Sequence, residues 1–245
     1  MLPATWKPIQ STNLERMGSK LDGGYVVSSS AVRASNLLVS MGLSDNWDFE
    51  ADFRKVSKAR IVCLDHTINT RFWFRYAVAR VLTGQLWRVS RYFAYRKFFA
   101  NADVDHRQLM VGYDGVGGVS FEKLISNEPL NSVFLKADIE GSEYRIFKDI
   151  VKYSDRLTGI AIELHDIDLH RDRINYLFAS LPGFSIVALA ANNFGGVDDQ
   201  GDPIVIEVTL TRNEFIEPGV STKFAAVPND PSQNAIEPAF ATAAA

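Results

Sequence analysis

Residues 132–143 read SVFLKADIEGSE, an apolar run that closes on three carboxylates, Asp138, Glu140 and Glu143. Ser132–Ala137 has the composition of a buried strand, and Gly141 permits a sharp turn into a helix. That helix is expected over Ser142–Tyr153, where Ile146, Ile150 and Val151 share one face. The same order repeats on both sides. Upstream, Asn36–Met41 ends at Gly42 and leads into a helix-compatible stretch, Asp48–Ser57. Arg60–Leu64 then ends at Asp65. Gln108–Gly112 reads as a weak third strand, and FEKLIS after Ser120 as a short helix. Downstream, Leu157–Leu164 is a strand followed by His165, and Leu169–Leu181 is a helix stopped by Pro182-Gly183. Phe184–Ala190 and Ile204–Leu210 close the series. The loop between them, Asn192–Asp202, is too short and polar for a crossover helix, so the last strand should run antiparallel. Alternating strands and helices predict an α/β fold with a mainly parallel sheet.

Composition narrows the class. The 245 residues are 47% apolar and 22% charged, as in a globular chain. One cysteine, Cys63, excludes a disulfide framework and a cysteine-based zinc site. The start, MLPATWKPIQ, lacks a signal-type apolar stretch. The expectation is a cytoplasmic protein, soluble or peripheral at a membrane. The net charge of −3 conceals a split: between His66 and Ala102 there are seven Lys/Arg and no Asp or Glu, leaving −10 elsewhere. The same segment holds 10 of the 28 aromatic residues.

In an open parallel sheet, ligands bind outside the carboxyl ends of the strands, near the switch in strand order. That rule selects Gly42 to Glu50, Asp65, Asp138 to Glu143, and Glu163 to His165. A Gly turn followed about 20 residues later by an acid is the spacing of a nucleoside site. The loop GLSDNWDFE has one glycine, which fits a nucleoside without a diphosphate, S-adenosylmethionine rather than NAD. Crowded carboxylates need partners: a cation, a metal or a substrate hydroxyl. Glu163 and His165 lie on one side of their strand and form a candidate acid/base or metal-binding unit. A divalent ion held by Asp138, Glu163 and His165 is therefore a candidate. His66 reads as cofactor-shell or structural, and His106 and His170 as surface residues. Asp103-Val104-Asp105 and Asp166-Ile167-Asp168 look like the Asp-x-Asp of metal-dependent glycosyltransferases, which keeps that class open.

KADIEGSEYRIF (residues 136–147) resembles the signature of the FkbM family of S-adenosylmethionine-dependent methyltransferases. LDGGYVV, LLVSMGLSDNWDFEADF, VSFEKLI, IELH and ANNFGG with PIVIEVTLTR resemble further blocks in the family's order, from about Leu21 to Arg212. The resemblance implies a Rossmann-like class I methyltransferase: a seven-stranded, mainly parallel sheet with an antiparallel last strand. It implies O-methylation of a sugar, glycan or related small-molecule hydroxyl. By position it puts Gly42 and Glu50 in the cofactor loop and Asp65 on the ribose. Asp138 and Glu140 would sit at the reaction centre, and Asp22, Gly23 and Gly24 in a lid. The sequence departs from the pattern where the usual Asp-x-Gly-x-x-Gly loop is absent. It departs again where Ala190 and Ala191 stand in place of an expected histidine, which gives His165 more of the role. A non-catalytic glycan- or membrane-binding relative remains open on the same grounds.

Residues 1–212 are then the methyltransferase domain, with residues 67–100 as a basic aromatic helical insertion after strand two, and residues 213–245 form an irregular tail. Thr83-Gly84 divides the insertion into two helix-compatible halves. It is read as a membrane-surface hairpin, an acceptor lid, a dimer contact, or a pair packing Trp73 and Trp87 on the core. A pI of 5.8 argues against nucleic acid as a partner.

Overall fold

In the computed structural model, which describes residues 1–20, 22–128, 131–192, 194–219 and 238–241, the β-rich runs become eleven strands. In chain order these are β1 (Leu14–Gly18), β2 (Gly24–Ser28), β3 (Leu37–Met41), β4 (Arg60–Leu64), β5 (Val104–Arg107) and β6 (Met110–Val111). They continue with β7 (Gly118–Val119), β8 (Val133–Ala137), β9 (Leu157–Leu164), β10 (Phe184–Ala191) and β11 (Ile206–Arg212). The helices are α1 (Ser29–Ala34), α2 (Asp48–Val56), α3 (Thr70–Leu82), α4 (Val89–Phe99), α5 (Phe121–Ser126), α6 (Glu143–Lys152) and α7 (Ile167–Ala179).

Seven strands form one sheet in the order β10-β11-β9-β8-β3-β4-β5. The pairs β8–β9, β3–β8, β3–β4 and β4–β5 are parallel, while β11 runs antiparallel to both β9 and β10. This is the Rossmann-like methyltransferase sheet, with the final strand inserted antiparallel as the short Asn192–Asp202 connection required. Order reverses at β3: the chain goes from β3 to β4 on one side and returns through β8 on the other. The crevice outside their carboxyl ends is the expected ligand position.

Strand alternation divides the core. Leu37, Val39 and Met41 of β3 join Leu135, Ile160 and Ile162 against Ile146 and Ile150 of α6 and Ile174 and Leu177 of α7. Leu38, Ile61, Cys63, Phe134 and Ala161 face the other way, against Phe49 and Phe53 of α2 and against Trp73 and Tyr95 from the insertion. Both faces are covered, which is why these strands read as continuous apolar runs.

The structure corrects several expectations. The third sheet strand is Val104–Arg107, not Gln108–Gly112; Met110–Val111 instead pairs with β7 in a separate two-stranded ribbon. β5 is an edge strand with one neighbour, so it tolerates Asp105, His106 and Arg107, and its sequence lacks the apolar signature of the central strands. β1 and β2 form an unanticipated antiparallel hairpin, Leu14 opposite Ser28 through Gly18 opposite Gly24. His106 is not a free surface residue: its ring meets the Tyr95 hydroxyl at 3.0 Å and the Asp65 carbonyl at 3.3 Å. Of the tail, Asn213–Phe215 forms a 3-10 turn and Phe240 bridges Leu2. The expectation of an irregular tail over 220–237 and 242–245 lies outside the described residues, as does Asn193.

The insertion is two helices, with α3 ending at Thr83-Gly84 as the sequence indicates. Trp73 is buried, edge-on to Trp47 and stacked on Tyr95. Trp87, paired with it in the packing expectation, is 71% exposed. Periodicity alone could not separate the two, because both halves carry apolar residues on every side.

Candidate active site

A cleft of about 420 Å³ opens at the carboxyl ends of β3, β4 and β8. Its edges are the loop after β3, the β1–β2 turn, and the turn from β8 into α6. Gly42 decides how closely these approach: it has φ +78°, and an added Cβ would lie 1.6 Å from the Asp138 carbonyl oxygen. Only glycine permits this crossing. Two of the three non-glycine residues with positive φ among the described residues, Ser44 and Glu140, line the same cleft. Backbone held in that region is stored where a site needs it.

Asp65 organises the loop. Its Oδ2 accepts from the backbone N–H groups of Leu43 (2.9 Å) and Ser44 (2.8 Å). Its Oδ1 accepts from the Thr67 N–H (2.7 Å) and hydroxyl (2.5 Å). Burial alone would raise its pKa, but the Thr67 hydroxyl and the N–H groups of Ser44, Thr67 and Leu43 outweigh it and hold the carboxyl below the usual range. A carboxylate offers about four lone-pair positions, so the protein's own donors fill them. The amides that would face a phosphate in a glycine-rich loop are spent on Asp65.

The cleft lining combines acids with apolar side chains. Asp22, Asp45, Asp65, Asp138 and Glu140 line it together with Leu64, Leu109, Met110, Val111 and Ile139. Lys136 also lines it, but its Nζ donates to the Gly42 carbonyl at 2.6 Å and lies 4.0 Å from Glu50. Glu50 is fully buried and accepts from the Ser40 hydroxyl. Burial raises its pKa, with Lys136 and Ser40 pulling the other way. Its position is beneath the cleft, as support for Lys136, and it is not part of the lining. Gly23 lines the cleft beside Asp22; Gly24 is not part of the lining, and an added Cβ there would meet the Ser19 carbonyl at 1.9 Å.

Beside the lining, Asp138, Glu163 and His165 bring one donor atom each within 4.8 Å of one another. Glu163 accepts from the Asn192 amide at 2.8 Å, and the Tyr25 hydroxyl lies 3.4 Å from both Glu163 and Asp138. His165 is ringed by acids: Nδ1 is 3.3 Å from Glu143, while Nε2 is 3.5 Å from Glu140 and 3.7 Å from Glu163. Nδ1 and Glu143 stand at ion-pair distance without the alignment of a hydrogen bond. Burial lowers the imidazole pKa, but Glu143, Glu163 and Asp138 outweigh it and raise it to about 9. Burial, reinforced by Asp138, raises Glu163 to about 8. Glu143 also accepts from the Ile139 N–H at 2.7 Å, locking the β8–α6 turn.

Sequence reasoning brought Asp22, Gly23, Gly42, Asp65, Asp138 and Glu140 to this cleft and His66 to its edge, and the structure joins them there. Asn46, inside the Gly42–Glu50 loop but given no role there, has its amide donating to the Asp22 carbonyl at 3.2 Å; the segment from Leu109 to Val111 that also lines the cleft was missed. It was hidden because that segment was read as a strand of the main sheet, whereas Met110–Val111 pairs in the separate ribbon with β7. The Asp-x-Asp triplet at 103–105 is spent on ion pairs: Asp103 holds Arg54 at 2.8 Å, and Asp105 holds Arg107 at 2.8 Å.

No family model matches the sequence, and no curated protein matches it. Among solved structures, it is similar to an rRNA methylase from Streptococcus thermophilus, at 14% identity over 75% of this chain and 92% of that one (TM-score 0.41). It is similar to a precorrin-6y C5,15-methyltransferase from Geobacter metallireducens GS-15, at 11% identity over 75% and 86% (TM-score 0.41). A third likeness is to a putative tRNA (m1A22) methyltransferase of Streptococcus pneumoniae in complex with S-adenosyl-L-methionine, at 14% identity over 81% and 72% (TM-score 0.38). TM-scores this low lend these likenesses no weight beside the strand order itself.

Proposed function

We propose that the cleft binds S-adenosylmethionine and that the chain is an O-methyltransferase acting on a hydroxyl of a sugar, glycan or related small molecule. The observation that carries this reading is the charge of the cleft at the switch point. Five carboxylates and loop amides already committed to Asp65 suit a sulfonium and an ammonium group. They repel the diphosphate of a nucleotide sugar or of NAD. The apolar wall from Leu109 to Val111 suits an adenine ring, and the volume lies within the range of small-molecule sites. The resemblance of KADIEGSEYRIF to the FkbM signature supports the hydroxyl acceptor.

The bound cofactor would supply a methyl group on a positively charged sulfur. The chain's task is to align the acceptor oxygen and take its proton. Asp138 is the group for that proton, since it lines the cleft. His165, its pKa raised by the acids around it, lies within 3.7 Å of Glu140, Glu143 and Glu163 and braces the strand end beside Asp138.

Calorimetric titration with S-adenosylmethionine, its demethylated product and a nucleotide sugar tests the reading. Binding of the first two and not the third is expected. Binding of the nucleotide sugar alone would favour the glycosyltransferase class and overturn the proposal. Asp138→Ala should retain the fold and lose methyl transfer; full turnover in that variant removes Asp138 as the base.

A further inference from the structure

The α3–α4 hairpin carries more than its packing explains. Its base is anchored: Trp73, Ala77 and Tyr95 are buried. Its far end is not. Leu82 is 81% exposed, Leu86 64% and Trp87 71%, with Val78, Val81 and Phe93 exposed around them. The hairpin holds eight of the sixteen large apolar side chains that stand exposed among the described residues. A soluble surface does not concentrate them so without a partner.

Charge selects the partner. Seven cations, Arg71, Arg75, Arg80, Arg88, Arg91, Arg96 and Lys97, are spread along the hairpin, Arg80 and Arg88 nearest its tip in sequence, with no acid between His66 and Ala102. Among the described residues, only Arg91 of these meets a carboxylate, Asp48, at 4.0 Å. A second copy docking symmetrically would set one uncompensated basic hairpin against another. Nucleic acid would use the cations and aromatics but gains nothing from Val78, Val81, Leu82 and Leu86. An anionic bilayer uses both: aliphatic and Trp side chains enter the acyl boundary while Arg meets the headgroups. No helix among the described residues is long and apolar enough to cross a membrane, so the mode is docking at the surface.

We propose that the tip of the α3–α4 hairpin docks on anionic phospholipid bilayers, inserting Leu82, Leu86 and Trp87 with the arginines at headgroup level. The docking stands apart from the methyl-transfer reading and needs no cofactor. Trp87 is its built-in reporter, because Trp6, Trp47 and Trp73 are all buried.

The test is co-sedimentation of the full chain with vesicles of phosphatidylcholine alone or mixed with phosphatidylglycerol, at low and high salt, with tryptophan emission recorded in parallel. Expected are pelleting on the anionic vesicles, weakened by salt, and a blue shift quenched by brominated acyl chains. Leu82→Ser with Trp87→Ser should keep the circular dichroism and melting curve and lower vesicle partitioning by on the order of tenfold or more. Arg75→Glu with Arg88→Glu should do the same through charge. Absence of pelleting on anionic vesicles overturns the proposal, as does pelleting that survives the Leu82/Trp87 double substitution. A dimer dissolved by that substitution, or binding of single-stranded RNA, overturns it when vesicle binding is missing.

Discussion

Asp65→Asn separates two roles for one residue. As a ribose ligand, Asp65 would matter to the cofactor alone. As found, it accepts from Leu43, Ser44 and Thr67 through both oxygens. An asparagine can keep one oxygen toward one pair of donors but must turn its NH2 against the other pair. Two hydrogen bonds to a charged acceptor are lost, at about 1.5–3 kcal/mol each. The expected loss is therefore about 3 kcal/mol or more, a large fraction of the roughly 5–15 kcal/mol that holds a domain folded. Urea unfolding followed by circular dichroism reads it as a lower midpoint at unchanged slope. The pH dependence has a definite sign. The folded pKa lies below the ordinary 3.8, so the stabilisation is present above that value and disappears as pH falls through the folded pKa. The gap between wild type and variant should close in acid. A variant that unfolds with wild-type midpoint while losing S-adenosylmethionine affinity would refute the loop-organising role and restore the ribose assignment.

Gly42→Ala should cost several kcal/mol or prevent folding, since its Cβ would meet the Asp138 carbonyl at 1.6 Å; Gly141→Ala, with φ +87° and no atom within 4 Å, should cost only about 1–2 kcal/mol in the same melts. Trp73→Ala should lose about 3–5 kcal/mol, while Trp87→Ala stays within about 0.5 kcal/mol, because only the first is buried. Glu163 and His165 both have raised pKa values, about 8 and about 9. Their contribution is complete below the ordinary values of 4.5 and 6.5 and is lost as pH climbs through the raised ones. Melting temperature should fall toward alkaline pH, and Glu163→Gln should flatten part of that fall; an unchanged profile would contradict the raised pKa values of this pair.

The central strands were legible because each is buried on both faces and writes its burial as an unbroken apolar run. β8 with its Asp138 ending, and β9 with Glu163 and His165, were read from the sequence to within a residue. β5 was not, because it is an edge strand whose polar residues are satisfied across the fold: Asp105 by Arg60 and Arg107, Arg107 also by Glu128, and His106 by the Tyr95 hydroxyl and the Asp65 carbonyl. The β1–β2 hairpin escaped for a related reason: its strands are short and its turn, Asp22-Gly23, is held by Asn46 from a loop on the far side of α1. The candidate site was legible where a strand end and a carboxylate coincide. It was illegible where the role depends on what a carboxylate touches. Asp65 and Glu50 look alike as acids after strands, yet one ties down a loop and the other sits under a lysine.

Arg91 has a consequence of its own. It belongs to the insertion, yet its guanidinium lies 4.3 Å over the Trp47 ring and donates to the Asp45 carbonyl, at the wall of the cleft. Trp47 also packs against Trp73, Tyr95 and Phe99, so the insertion and the loop after β3 are joined through several contacts. To the extent that a ligand in the cleft steadies this loop and with it the hairpin, reciprocity requires that a partner holding the hairpin strengthen that ligand's binding by the same factor.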